Sequence, residues 1–434
     1  MSDFTAVPSM ESDATYRKVA LHLIPILILC YFSAYIDRSN IGIAKLQFTA
    51  DLHIDEAMYG LGGGLFYLGY SLFEVPSMLV LRRVGARRTF FRILLLWSLF
   101  SAALAGIKTP GAFYALRFLI GVAEAGFFPG VLFYLSHWVP AARRARFTGW
   151  FLSSIPLTGI IGGPLSGFLL RSLGGFWGLK GWQWLFIVEG LPGVLLAVLL
   201  LRYLCDSPTS AHWLSERQKT LIARDLAAES SGTRLRTTGR EMTLMRALRD
   251  PPFYALALMS SAVIAGAAGI ALWMPTILRN AGFATAESVA ALTAIPYAAA
   301  FLAQQWVAHR SDRRLERRWH AALSGLVGAA GWAGALFAAS PAWTLLSLSI
   351  AAAGTFAATG PFWSLPAAYL AGRGAAAGIA VITTCGGVAS FLSPLIVGSA
   401  ASHWHTGLAA PAYYSLLLAS GSIVLLWGTR PRPA

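Results

Sequence analysis

Twelve stretches of this chain are mostly apolar, and each is about as long as the ~20-residue helix that crosses a hydrocarbon layer. They fall at 19–44, 57–81, 90–107, 111–136, 147–170 and 182–204, then at 252–277, 287–309, 320–339, 342–370, 375–401 and 409–428. A chain that must bury this pattern is expected to be an all-α polytopic membrane protein. Composition agrees: 56% of residues are hydrophobic and 12% are charged, where a soluble domain carries about 25% charged residues. Fifteen Trp and 25 Phe suit helices with aromatic belts at the membrane surfaces.

The order is six spans, a polar stretch, and six more. This predicts a tail over 1–18, a helical half over 19–204, a linker over 205–250, a second half over 251–429 and a short tail over 430–434. The first apolar run continues as a full span, so the polar N-terminus is expected to be a tail without a cleavable signal. Lys and Arg are placed unevenly. If the N-terminus is cytoplasmic, 27 of the 34 lie in inside segments and five in outside ones. That asymmetry predicts both termini inside, in a multi-pass protein of the cell inner membrane. The net charge of +15 therefore orients helices and gives no reason to expect nucleic acid. Cys30, Cys205 and Cys385 have no metal or redox spacing. No paired nucleophile and base and no cofactor motif occurs, so neither an enzyme nor a cofactor is expected. "GLGGGLF" near Gly62 lacks the strand and the Lys-Ser/Thr of a phosphate loop.

A repeat joins the second and third span of each half. "LRRVGARR" runs from Leu81 to Arg88, and "HRSDRRLERR" from His309 to Arg318. Together with "YIDRSNIGIA", "RFLIGVAEAGFFPG", "IPLTGIIGGPLSG" and "GPFWSLP", these turns resemble the anion:cation symporter family of the major facilitator superfamily. The similar branch is the bacterial tartrate, phthalate and hydroxyphenylacetate permeases, and the resemblance covers nearly the whole chain. It implies two six-helix halves with a site between them near the midplane. It implies proton-coupled import of a small organic anion, with the proton gradient as driving force. It also implies gating roles for Arg83, Gly85 and Arg87 in the first turn and for Asp312 and Arg313 in the second. One departure stands out: the family places an acid before "RxGxR", where this chain has Arg82. A monomer is the working assumption.

A charge at the bilayer centre costs about 2.5–3.5 kcal/mol on insertion scales. Asp37, Arg38, Glu74, Arg117, Glu124 and Glu189 carry that cost here. Neighbours on a helix point about 100° apart, so Asp37 and Arg38 can address different partners. Arg117 and Glu124 lie two turns apart on one face. In the functional reading Arg38 grips a substrate carboxylate, for which guanidinium geometry is suited. Arg117 would pair with Asp37 or Glu124 when the site is empty, and Asp37 and Glu124 would handle the proton. An anion that occupies the Arg releases the acid, so anion and proton promote each other's binding. The resemblance assigns the same roles to these four residues. The bland readings are a solvated Asp37 at the interface and a purely structural Arg117–Glu124 pair. Glu74 and Glu189 read as packing or gating residues.

Tyr70 matches a tyrosine that touches the anion in the family, whereas Tyr67 reads as packing. Trp363 and Ser364 sit between Pro361 and Pro366, where a broken helix would open backbone groups to a cavity. Thr383 and Thr384 stand where relatives often carry an amide; bonding back to their own helix is the alternative. Gly159, Gly163 with Pro164, and Gly167 are spaced for a close helix crossing, expected to be a sliding seam between halves. Export of cationic or hydrophobic compounds fits Arg38 and Arg117 poorly, and anion antiport leaves Asp37 and Glu124 without a task.

Overall fold

The computed structural model describes residues 10–236, 248–314, 316–337, 340–370, 375–404 and 407–429. Both expected tails lie wholly or partly outside these, as does 237–247 of the expected linker. The first half consists of α1 (Met10–Asp51), α2 (Glu56–Val84), α3 (Ala86–Ala103), α4 (Pro110–Glu124), α5 (Phe127–Ser136), α6 (Ala141–Leu152), α7 (Ser154–Ser172), α8 (Gly181–Gly190) and α9 (Pro192–Tyr203). After α10 (Glu216–Arg236) come α11 (Pro251–Asn280), α12 (Ala286–Leu292), α13 (Ala294–Arg314), α14 (Arg318–Leu336), α15 (Pro341–Tyr369), α16 (Ala375–Trp404) and α17 (Ala409–Gly428). Eleven of the resulting spans are long and apolar enough to cross a membrane. The twelfth, α14, is a 19-residue helix whose polar start, Arg318, Trp319 and His320, lowers its hydropathy.

Several spans are two helices in series, and the breaks follow from local sequence. Span four parts at Ala125–Gly126, where Gly126 adopts φ 86°. L-residues with a Cβ are penalised there, and a Cβ on Gly126 would also lie 2.6 Å from Ser77 Oγ. Span six bends at Leu191 before Pro192, which has no N–H to give to the preceding turn. The break expected at Pro361 and Pro366 is absent: α15 runs through both prolines. Neighbouring helices can re-satisfy the carbonyls that a proline leaves free.

The first helix is 42 residues long, roughly 60 Å, and starts within the stretch expected to be a tail. Its first turns belong to a polar layer. Glu11 pairs with Arg217, Asp13 with Arg143, and Arg144 with Glu229, while the Tyr16 hydroxyl donates to Asp225 at 3.1 Å. Trp213 stacks between His22 and Trp138. The beginning of the linker is thus docked on the first half.

Burial defines the overall shape. At the end opposite the termini, one apolar core runs through both halves, from Phe48, Tyr59 and Phe66 to Trp273, Tyr297 and Tyr414. Toward the terminus-bearing end it divides. Trp97, Phe127 and Phe151 belong to a core of the first half alone, and Phe253, Phe362 and Leu425 to one of the second. The halves are therefore packed together at one end and separate at the other.

The seam at the closed end includes the expected glycines. A Cβ on Gly163 would come 2.3 Å from Thr293 Oγ1 and 2.5 Å from the Ala290 carbonyl oxygen. Gly159 lies against the Tyr297 ring, and Gly167 against the Glu287 carbonyl. Among the described residues, hydrogen bonds cross between the halves here from Tyr59 Oη to Leu272 O at 3.2 Å and from Lys45 Nζ to Thr276 Oγ1 at 3.0 Å. A void of about 10 Å³ between Gly159, Gly163, Pro275 and Tyr297 is the size of a single water.

Candidate functional site

α2 and α4 cross closely because Gly121 and Gly69 lack side chains. A Cβ on Gly121 would lie 2.0 Å from Phe66 O, and one on Gly69 would lie 2.5 Å from Phe118 O. That contact sets Phe66 and Tyr70 beside Arg117 and Glu124. α1 brings Arg38 to the same place.

Arg38 forms an ion pair with Glu124 through Nη2 and Oε1. Its guanidinium lies 4.9 Å from the Tyr35 ring centre and 5.3 Å from those of Phe66 and Tyr70. Arg117 is 2% exposed and makes no ion pair among the described residues. Its Nε donates to the Gly62 carbonyl at 3.4 Å, and its guanidinium lies 4.8 Å from the Phe66 ring centre. Phe66 thus serves both cations, at energies of about 0.5–2 kcal/mol each. Sequence reading passed Phe66 over because a phenylalanine in a membrane span carries no distinguishing signal.

The expected partner exchange differs in detail. The acid Glu124 is held by Arg38, not by Arg117. α4 ends at Glu124, and the following Ala125 leaves the helical conformation with ψ 131°. Asp37 and Arg38 do diverge. Asp37 points into the first half, accepts from Trp97 Nε1 of α3, and lies 3.4 Å from Asn40 Nδ2. It is 6% exposed, so it is not a solvated interface residue.

Residues of the second half are less engaged. Trp363 is half-buried against Phe362, and Ser364 is exposed. Thr383 and Thr384 donate to Ile379 O and Ala380 O, each at 2.9 Å, so both hydroxyls turn back on their own helix. Glu74 is half-buried on α2. Glu189 is buried and accepts from Ser166 at 2.6 Å.

The two turns are built differently. Gly85 takes φ 93°, and the Asp206 carboxylate fills the space beside it. Asp206 Oδ1 accepts the Arg87 N–H at 2.9 Å, at the start of α3. An acid from beyond α9 thus sits at this turn, an arrangement invisible in the turn's own sequence. Arg87 Nε donates to the Leu201 carbonyl. In the second turn Asp312 pairs with Arg317, while Arg313 is exposed. Lys45 is a further residue the sequence reading left unused. It is 4% exposed, pairs with Glu56 at 2.6 Å, and lies over the Tyr59 and Trp273 rings. No cluster of His, Cys, Asp and Glu suited to a metal occurs among the described residues.

The family model of the Major Facilitator Superfamily matches residues 27–394. The chain belongs to this superfamily. It is 39% identical to the metabolite transport protein NicT of Pseudomonas putida, over 95% of this chain and 93% of that one. It is 40% identical to a protein described as a tartrate transporter of Agrobacterium vitis, over 88% and 84%. It is also 40% identical to a quinolone resistance transporter of Acinetobacter baumannii, over 95% and 92%. The fold matches the xylose transporter XylE from E. coli in a partially occluded inward open conformation, with TM-score 0.75 at 15% identity, over 95% and 100%. This superfamily chain is a multi-pass membrane transporter and not an enzyme. The tartrate relative agrees with the resemblance to anion:cation symporters.

Proposed function

We propose that this transporter imports a small organic anion together with protons across the inner membrane, by alternating access. The uneven placement of Lys and Arg supports a cytoplasmic terminus-bearing end, so the state described opens inward. The observation that carries the reading is the Arg38–Glu124 pair beside Arg117, which makes no ion pair among the described residues. A substrate carboxylate takes Arg38 from Glu124 and draws on Arg117 as second cation. Glu124 then loses its counter-ion next to a new negative charge and takes up a proton. Proton and anion bind with positive linkage, and the reciprocal effect is required. Tyr70 lies against Arg38 and would border the anion; Trp363, Ser364 and Thr383 are its candidate contacts on the second half.

Tartrate or another hydroxy or sugar acid fits two guanidiniums, and the tartrate relative supports it. An aromatic acid is the second reading. Phe66, Tyr35 and Tyr70 around Arg38 favour it, as does the relative linked to quinolone resistance. Uptake of a labelled panel into proteoliposomes, covering tartrate, sugar acids, aromatic acids and a quinolone, separates these. An imposed inward proton gradient should drive accumulation, and Asp37→Asn or Glu124→Gln should reduce it to exchange. Uptake indifferent to the gradient, or unchanged in both variants, would move the chain to anion antiport.

A further inference from the structure

The Arg38–Glu124 pair borders the space between the halves. A second set of buried polar groups lies behind it, inside the first half, among α1, α3, α7 and α8. Asn40 follows Asp37 by one turn of α1, and its Nδ2 is 3.4 Å from Asp37 Oδ1. The same amide faces the carboxyl of Glu189 near the end of α8. Glu189 Oε1 accepts the Ser166 hydroxyl of α7. Glu189 Oε2 and Asn40 Oδ1 are buried acceptors that no donor among the described residues reaches. Asp37, Asn40 and Glu189 are 6%, 1% and 4% exposed.

Among the described residues neither carboxyl has a countercharge. Arg38 is held by Glu124, and Arg117 lies on Gly62 and Phe66. From α4 the charge that acts on Asp37 is Glu124, itself an acid. α3 offers Trp97 and Ser101, and α7 offers Ser166. On α9, Gly193 lies against the Ser98 and Ser33 hydroxyls. Two ionised carboxylates here would both lose hydration without a cation in return. One proton between them removes the repulsion and turns a carboxyl oxygen into a donor, which the orphaned acceptors lack.

We propose that Asp37 and Glu189, with Asn40 beside both, form a carboxyl pair holding one shared proton, a proton site separate from the Arg38–Glu124 pair. Its part in transport rests on the proton-coupled reading; its existence does not. Asp37 and Arg38 share a turn of α1, so a movement of Arg38 on anion binding is felt at the pair.

The test is pH-dependent infrared spectroscopy of the full chain in lipid, reading the C=O band of protonated buried carboxyls. Wild type should show a titrating band. Asp37→Asn should move the midpoint of the remaining acid down by about one pH unit or more, as expected for coupled groups. Asp37→Asn with Glu189→Gln should remove the band. A Glu189→Gln band with the wild-type amplitude and midpoint would overturn the pair. If Glu189→Gln does not fold, Asp37→Asn decides alone, and an unmoved midpoint overturns the proposal. In proteoliposomes Glu189→Gln should lower gradient-driven accumulation at least tenfold. Wild-type uptake that ignores the gradient, with the infrared shifts as stated, would sink the symport reading and leave the pair standing.

Discussion

Glu124→Gln bears most directly on how the anion enters. In the empty protein Glu124 occupies the guanidinium that the substrate is proposed to use. An incoming carboxylate must displace it and give up the contact. A hydrogen bond to a charged group contributes about 1.5–3 kcal/mol. Glutamine has nearly the same shape but no charge, so that contact is largely gone before the anion arrives. At about 1.4 kcal/mol per tenfold, the acids that bind wild type should bind Glu124→Gln roughly 10- to 100-fold more tightly. The empty variant should be less stable, since removing one partner of a buried ion pair costs about 3–5 kcal/mol. Calorimetry or ligand-induced thermal shifts of the purified protein would read both effects. The lower melting temperature should be recovered by the ligand more fully than in wild type. Unchanged or weaker anion binding in Glu124→Gln would refute the competition between acid and anion for Arg38.

Three further outcomes follow from the same geometry. Lys45→Met keeps apolar contact with Tyr59 and Trp273 but loses the bonds to Glu56 and Thr276. It should shift the equilibrium toward opening at that end by about 1.5–3 kcal/mol, seen as increased thiol labelling of cysteines placed there; unchanged labelling counts against Lys45 as a latch. Gly163→Val puts atoms where Thr293 and Ala290 already lie, so transport should fall at least tenfold at normal expression, while Gly106→Ala, with nothing within 4 Å, should not alter it. Asp206→Ala removes the acceptor at the start of α3 and should cost about 0.5–2 kcal/mol in thermal unfolding, as loss of a helix cap does; no change would mean that the Arg87 N–H is served by water.

Much of this architecture is written in one-dimensional pattern. A bilayer imposes the same length on every span and forbids unpaired backbone, so apolar runs convert directly into helices. The split into halves, the cationic turns and the short roster of intramembrane charges are read the same way. Helix ends were less legible. Continuous apolarity hid the break at Gly126, because a glycine in a span reads equally as packing. The prolines of α15 suggested a break that the surrounding helices make unnecessary.

Partnership among the charges was decided only by the tertiary structure. The sequence by itself marked Asp37, Arg38, Arg117 and Glu124 as charges within spans that each need a partner, since a lone charge in hydrocarbon is costly. Which acid meets which base depends on where α4 ends, how closely Gly121 lets α2 approach, and which way each turn of α1 faces. Those are distances between helices far apart in the chain. They give Glu124 to Arg38 and leave Arg117 to Phe66. They also bring Asp206 to a turn that lacks its own acid, and Glu189 to Asp37. Spacing along one helix carries no record of such contacts, because side chains from separate helices meet only after the bundle has packed.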